Sequence, residues 1–229
     1  MEELHPSLLP TLDLLPVDRP VALFTRHSIR EQAQQGFAGY DVPLTPEGVR
    51  LATAWGARLG RPLHRVWSSP VGRCVDTARA MLAGAARPDL LVEPHLQLAE
   101  PGCFVKDIRT VGPLFLQLGP VAFANHHFSE PVRGVRSPEA GTRRLLDFLR
   151  GELGAPGSLS LFVTHDTILA ACIYTLLAIP RIDQDDWPWM MEGAFLWFDE
   201  TTVHGIWRGQ HFTRALAELD MIDTETRKT

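Results

Sequence analysis

The stretch VALFTRHSIR, residues 21–30, decides the predicted fold. Its apolar part, 21–25, follows Pro20 and predicts a β-strand. The strand ends in a basic cluster that contains Arg26, His27 and Arg30. Because ligands of parallel α/β sheets bind beyond the carboxyl ends of the strands, this cluster predicts a site at the edge of such a sheet.

The rest of the chain alternates strands and helices. Strands are predicted at 21–25, 64–68, near 90–92 and at 159–164, with a closing hairpin at 193–198 and 202–207. Helices are predicted from Thr45 to about Gly60, after a Ser69-Pro70 cap, from Ser137 to Gly154 and over 167–178. This order predicts a three-layer α/β/α sandwich around a mainly parallel sheet. We expect one domain over 1–229, in which the irregular stretch 101–136 is a cap insertion over the site.

Composition narrows the class of protein. The 229 residues include 22 Lys and Arg against 27 Asp and Glu, a net charge of −5, which argues against a nucleic-acid partner. The 3 cysteines form no CxxC pair, as expected for a reducing compartment. The start of the chain has no signal-peptide pattern, and no apolar run reaches transmembrane length. We therefore expect a cytoplasmic protein that has no membrane partner.

Polar side chains follow successive predicted strands. Arg26, Arg30 and Arg73 present fixed forks of N–H donors that suit phosphate oxygens. A neutral histidine among them, His27, is a candidate nucleophile toward phosphorus, and His165 is a candidate second phosphate contact. Together these residues predict a phosphoryl-transfer site.

The leaving alcohol needs a proton, and two carboxyl groups are candidate donors. Asp166 follows His165 directly, whereas Glu100 follows the third predicted strand. Either group can serve if its surroundings keep it protonated at the working pH.

Other chemistries find weaker support. CFVKDIRT, 103–110, has the Cys-x5-Arg-Thr spacing of cysteine-dependent phosphatases, but it lacks the glycines that let backbone N–H groups cradle phosphate. The sequence contains no GxSxG elbow, which argues against a serine hydrolase. His126 and His127 have no accompanying carboxylate at metal-ligand spacing, so no metal or other cofactor is expected.

Three motifs resemble the histidine phosphatase superfamily, also called phosphoglycerate mutase-like. Arg26-His27-Ser28 resembles its Arg-His-Gly signature, SSPVGRCVDTA (68–78) its Ser-Ser-Pro-x-x-Arg motif, and THDTILA (164–170) its late histidine motif. The resemblance covers roughly residues 20–100 and 158–179. It implies a phosphoglycerate mutase-like fold with His27 as the phosphorylated nucleophile. It also implies a phosphate pocket formed with Arg26, Arg73 and His165, to which Arg30 adds.

The resemblance points to two branches of the family. Arg30 and the His-Asp pair resemble the acid phosphatase branch, in which the aspartate, here Asp166, donates the proton. The short chain and Glu100 resemble the mutase branch, in which such a glutamate is the donor. We favour Asp166 because both acid phosphatase-like features occur together. The glycine of the family signature is Ser28 here, which needs room at a crowded turn.

The resemblance implies a phosphatase that hydrolyses a small phosphorylated metabolite through a phosphohistidine. A phosphomutase of the same fold and a non-catalytic phosphate-binding relative remain alternatives. The apolar terminal hairpin is compatible with a homodimer.

Overall fold

The computed structural model describes residues 3–32, 41–99 and 102–220. Within these ranges the strands are β1 (Val21–Arg26), β2 (Leu63–Ser68), β3 (Val92–Pro94), β4 (Leu159–Thr164), β5 (Gly193–Phe198), β6 (Thr202–Trp207) and β7 (Gln210–Ala215). The helices are α1 (Leu8–Thr11), α2 (Pro46–Arg58), α3 (Gly72–Gly84), α4 (Ile108–Leu118), α5 (Pro120–Ser129), α6 (Pro138–Gly151) and α7 (Asp166–Leu176). Short 3₁₀ turns lie at Leu12–Leu14, Leu96–Leu98 and Leu216–Leu219.

One sheet contains all seven of these strands, in the order β3-β2-β4-β1-β5-β6-β7. The first four run parallel and the last three are antiparallel. The predicted α/β sandwich is therefore confirmed, with a mixed sheet whose first four strands are parallel. Parallel strands need crossover connections, and helices between them supply these connections.

Helices cover both faces of the sheet, and the central strands are buried on both sides. In β1, Leu23 packs into a core that contains Trp55 of α2 and Met81 of α3. Its neighbour Phe24 packs into the opposite core, beside residues of α6 and α7 such as Leu145. Successive side chains of a strand point to opposite faces, so an unbroken apolar run suits this central position.

The closing hairpin is longer than predicted. The structure adds β7 to the predicted pair, so that β5, β6 and β7 form an antiparallel meander. The turn between β6 and β7 places Arg208 at φ 50° and Gly209 at φ 77°. Two positive φ angles are typical of the two-residue type I′ hairpin turn, and an arginine at the first position conceals that signal in the sequence.

Of two predicted helix N-caps, one is confirmed and the other is wrong. The Thr45 side chain accepts a hydrogen bond from the Gly48 N–H at 2.9 Å, so the predicted cap of α2 is confirmed. The cap predicted at Ser69 is wrong, because α3 begins at Gly72 and its N-cap residue, Val71, makes no side-chain cap bond. Ser69 has a different role, described below.

The prediction that residues 101–136 are irregular is also wrong. Most of the segment forms α4 and α5, and the glycines and prolines mark helix boundaries and one internal position. Gly119 adopts φ 76° between the two helices, and Pro120 is the first residue of α5. Pro113 lies inside α4, where Gly112 precedes it and has no Cβ to collide with the proline ring. The role of this segment as a cap stays a prediction.

Among the helices of the described ranges, none is both long and apolar enough to cross a bilayer.

Candidate active site

Backbone pairing brings the predicted site residues to one edge of the sheet. The His27 N–H donates to the Thr164 carbonyl at 2.9 Å, and the Ser69 N–H donates to the Val163 carbonyl at 2.9 Å. The ends of β1, β2 and β4 are thus joined just where their polar residues begin. His165 follows β4 directly and lies beside both of the other strand ends.

His27 is buried, with 2% of its surface exposed, and its hydrogen bonds define its tautomer. Nδ1 lies 2.8 Å from the Ser28 carbonyl, which can only accept, so Nδ1 carries the proton. Nε2 accepts a hydrogen bond from Nε of Arg73 at 3.0 Å. The lone pair of Nε2 therefore faces the guanidinium of Arg73.

His165 is held in a complementary way. Its Nδ1 lies 3.1 Å from Nη2 of Arg73, which can only donate. Its Nε2 therefore carries the proton, which it donates to Oγ of Ser69 at 2.9 Å. Arg73, only 6% exposed, thus lies between two imidazoles whose ring centroids are 5.6 Å apart.

Both histidines are neutral at physiological pH. Burial lowers the pKa of His27 well below its usual range, and the positive charge of Arg26 lowers it further. Burial and the adjacent Arg73 lower the pKa of His165 to about 3. A neutral His27 keeps the lone pair that a nucleophile requires.

Arg26 and Asp166 form an ion pair beside the histidines. Nη2 of Arg26 lies 2.6 Å from Oδ2 of Asp166, while Nη1 donates to the Pro188 carbonyl at 2.6 Å. Asp166 also accepts from the indole Nε1 of Trp187 at 3.2 Å and from the Thr167 N–H at 2.9 Å. Burial opposes the charge of this carboxyl, but Arg26 and the other partners lower the pKa of Asp166 below its usual value. Asp166 is therefore ionised as long as it is the anion that pairs with Arg26.

Two predicted site residues remain, Arg30 and Glu100. Arg30 is partly buried and donates to the Glu31 carbonyl at 3.1 Å. Its charge also contributes to the low pKa of His165, which puts it in the electrostatic range of the site. Glu100, the alternative proton donor, lies outside the described residues.

Ser28, the residue in place of the family glycine, is accommodated by partners on α2 and α3. Its Oγ donates to the Gly48 carbonyl at 2.7 Å, and its N–H donates to Oγ1 of Thr77 at 3.0 Å. A Cβ at Gly48 would overlap the Ile29 carbonyl, so the first turn of α2 approaches Ser28 closely only because residue 48 is glycine.

The rival motifs do not form sites in the described structure. Cys103 is 1% exposed, and burial raises the pKa of its thiol to about 12, so it is no thiolate nucleophile. His127 is buried and its Nε2 donates to the Arg136 carbonyl at 2.8 Å. Over residues 3–32, 41–99 and 102–220, no three His, Cys, Asp or Glu side chains are grouped to hold a metal ion.

Sequence reasoning missed the residues that support Arg26 and Asp166 from behind. Glu192, 1% exposed, accepts from Nε of Arg208 at 2.7 Å and from the Trp189 N–H at 2.7 Å. Arg208 also donates to the carbonyls of Asp186 and Trp187. The pair thus fixes the loop whose indole and carbonyl groups contact the site. The signal in the sequence that could have pointed to this pair is Glu192, a charged residue directly before an apolar strand.

Comparison with known families agrees with this geometry. The model of the histidine phosphatase superfamily (branch 1) matches residues 22–194, a range that contains all the predicted site residues but not Arg208. The chain belongs to this superfamily. The comparison with curated proteins found no match to this chain.

Solved structures share the fold of this chain at low identity. A phosphoglycerate mutase from Bacillus anthracis str. Sterne is 16% identical with a TM-score of 0.52, and the alignment covers 89% of this chain and 96% of that one. A mutant phosphoserine phosphatase from Entamoeba histolytica, in complex with phosphoserine, is 16% identical with a TM-score of 0.53, over 88% and 98% of the two chains. A mycobacterial hydrolase is 20% identical with a TM-score of 0.51, over 86% and 96%.

Proposed function

We propose that this protein is a phosphatase that hydrolyses a small phosphomonoester through a phosphohistidine on Nε2 of His27. The position of Arg73 carries the proposal, because its guanidinium donates to Nε2 of His27 at 3.0 Å and to Nδ1 of His165 at 3.1 Å. A guanidinium between two uncharged imidazoles supplies positive charge for phosphoryl oxygens, and the Nε2 lone pair of His27 is released for attack as the Arg73 donors turn to those oxygens.

The reaction has two steps. The Nε2 lone pair of His27 forms a bond to phosphorus while the bond from phosphorus to the alcohol oxygen breaks, and that oxygen takes a proton from an acidic side chain. Water then attacks the phosphohistidine, its proton returns to the carboxylate, and the P–N bond breaks to release inorganic phosphate. Arg26, Arg30 and Arg73 stabilise the equatorial oxygens in both steps, and His165 contacts one of them. No metal or cofactor takes part in this proposal.

Asp166 is the favoured proton donor, with Glu100 as the alternative. Asp166 is ionised in its pair with Arg26, so it must gain a proton before it can act as the acid. A bound phosphate dianion supplies the reason, because it takes over the guanidinium of Arg26 and adds negative charge beside the carboxyl. Both changes favour the protonated form of Asp166.

The 101–136 segment is proposed to select the alcohol part of the substrate, a small phosphorylated metabolite. A cytoplasmic location is proposed because the sequence has only 3 cysteines and no CxxC pair, as expected for a reducing compartment. The homodimer stays a prediction.

The proposal is tested by replacing His27 with alanine and measuring hydrolysis of p-nitrophenyl phosphate. We expect a loss of more than about 10³-fold in kcat. Exchange of His64, a histidine exposed on β2, for alanine is the matched control and should retain activity. Near-normal hydrolysis by His27→Ala would overturn the mechanism. Isomer formation in place of phosphate release, with a panel of phosphorylated metabolites, would indicate a mutase.

A further inference from the structure

A cavity of about 310 Å³ lies between the 101–136 segment and α7. Its walls include Val111 and Phe115 of α4, Phe123 of α5, and Ile168 of α7. At one end it is lined by Thr167 and Trp187. This volume is at the lower end of the range for small-molecule pockets.

The cavity and the phosphate site share a wall. Thr167 and Trp187 line the cavity, and the same two residues donate hydrogen bonds to the Asp166 carboxylate. Asp166 is in turn paired with Arg26 at the phosphate site. An alcohol whose oxygen lies at Asp166 therefore has the cavity directly beside it.

The lining is uncharged. None of the described lining residues is Asp, Glu, Lys or Arg. The one histidine among them, His127, donates from Nε2 to the Arg136 carbonyl, and burial lowers its pKa, so it is neutral at physiological pH. A carboxylate or second phosphate in this cavity would lose its hydration without gaining a charged partner.

The mouth of the cavity is apolar as well. Ile108 and Leu116 line it and leave 52% and 76% of their surfaces exposed. Single exposed apolar residues are ordinary, but here two of them border an apolar cavity next to a polar site. That combination is typical of a surface that an apolar ligand covers.

We infer that the substrate of this protein is the phosphate monoester of an apolar alcohol, whose hydrocarbon part occupies the cavity between α4, α5 and α7. This inference rests on the proposed phosphatase function and narrows it. The volume corresponds to about ten liquid waters, and so to a hydrocarbon of about ten carbons. Phosphorylated amino acids and sugar acids, whose alcohol parts carry charge, are poor substrates in this account.

The inference is tested with a series of straight-chain alkyl phosphates from ethyl to dodecyl, held below their micelle concentrations. Each added methylene should raise kcat/KM about fourfold until the cavity is full, or about 200-fold from ethyl to hexyl phosphate. Phosphoserine should be hydrolysed no faster than ethyl phosphate.

Variants then locate the effect. Ala124 is a buried lining residue of α5, and Ala124→Leu should fill the cavity and flatten the dependence on chain length. Ala122, exposed on the same helix and absent from the lining, provides the matched control Ala122→Leu, which should keep the full dependence. Phe115→Ala enlarges the cavity and should move the plateau to longer chains, so the test does not depend on the folding of one overpacked variant.

Calorimetric measurement of alkyl phosphate binding distinguishes failure of the cavity inference from failure of the phosphatase proposal. Hydrolysis with no dependence on chain length in the wild-type protein would overturn the cavity assignment and leave the phosphatase standing. Absence of hydrolysis of both the alkyl phosphates and p-nitrophenyl phosphate, with calorimetric affinity that rises along the series, would overturn the phosphatase proposal and keep the apolar ligand site. If both hydrolysis and the rise in affinity are absent, both proposals are wrong.

Discussion

Arg208 donates from Nε to the buried Oε1 of Glu192 at 2.7 Å, and this pair stands behind the loop that carries Trp187 and Pro188. Arg208 also donates to the carbonyls of Asp185 and Asp186. Arg26, proposed to bind phosphate, and the candidate donor Asp166 contact the same loop from the side of the site. The Arg26 N–H also donates to the Glu192 carbonyl at 2.9 Å, so the ion pair is bonded directly to Arg26 and supports Asp166 through the loop.

Replacement of Arg208 by methionine should destabilise the protein by about 3 kcal/mol, because it leaves the Glu192 carboxylate buried without its charged partner. Urea unfolding measures this loss. The double variant Arg208→Met with Glu192→Gln should recover part of the stability. If the single and double variants are both as stable as the wild-type protein, the pair does not hold the loop.

The buried histidines predict a dependence of stability on pH. Their pKa values are lowered in the folded state, so between pH 6.5 and about 3 the unfolded chain binds more protons than the folded one. The free energy of unfolding should therefore fall as the pH falls from 6.5, by up to about 1.4 kcal/mol per pH unit for each histidine. His165→Gln should reduce this slope. An unchanged slope in His165→Gln would contradict the burial of a neutral imidazole.

The proton donor can be identified because the cost of losing it should depend on the leaving group. Loss of the donor costs about 10²–10⁴-fold when the leaving alkoxide is basic, as in an alkyl phosphate. It costs far less with p-nitrophenyl phosphate, whose leaving group needs no proton. We expect this contrast in Asp166→Asn and not in Glu100→Gln, measured as kcat on both esters. The reverse pattern would assign the role to Glu100.

Ser28 should contribute to stability and leave substrate choice unchanged, because its buried hydroxyl donates its hydrogen bond to the Gly48 carbonyl of α2. Ser28→Ala should cost about 1 kcal/mol of unfolding free energy. Values of kcat/KM across a panel of phosphate esters should stay in proportion to those of the wild-type protein. A selective change for some esters would place the hydroxyl in substrate recognition.

The sequence predicted the parts of the site that follow strands directly. His27 and His165 each come after an apolar run, and parallel pairing places such residues together, as the His27 to Thr164 hydrogen bond shows. The support from Arg208 and Glu192 was not predictable, because it depends on a turn and a loop meeting in the folded chain. Ser69 was interpreted as a helix cap because its partner, His165, lies 96 residues away in sequence.

The same limit applies to the substrate cavity. Gly112, Pro113, Gly119 and Pro120 resemble the punctuation of a loop, yet they lie within or between two helices. Local propensity is overridden there because the helices bury apolar side chains against α7. A cavity between such elements depends on tertiary packing, which a pattern of residues along one chain does not contain.

The central claim is that Nε2 of His27 becomes covalently phosphorylated during turnover. The most direct measurement mixes the protein with a radiolabelled phosphate ester, quenches the reaction within milliseconds in alkali, and maps the label by peptide digestion. We predict label on the peptide that contains His27, stable in alkali and lost in acid, and absent from His27→Ala. Turnover that proceeds without label on that peptide would contradict the account.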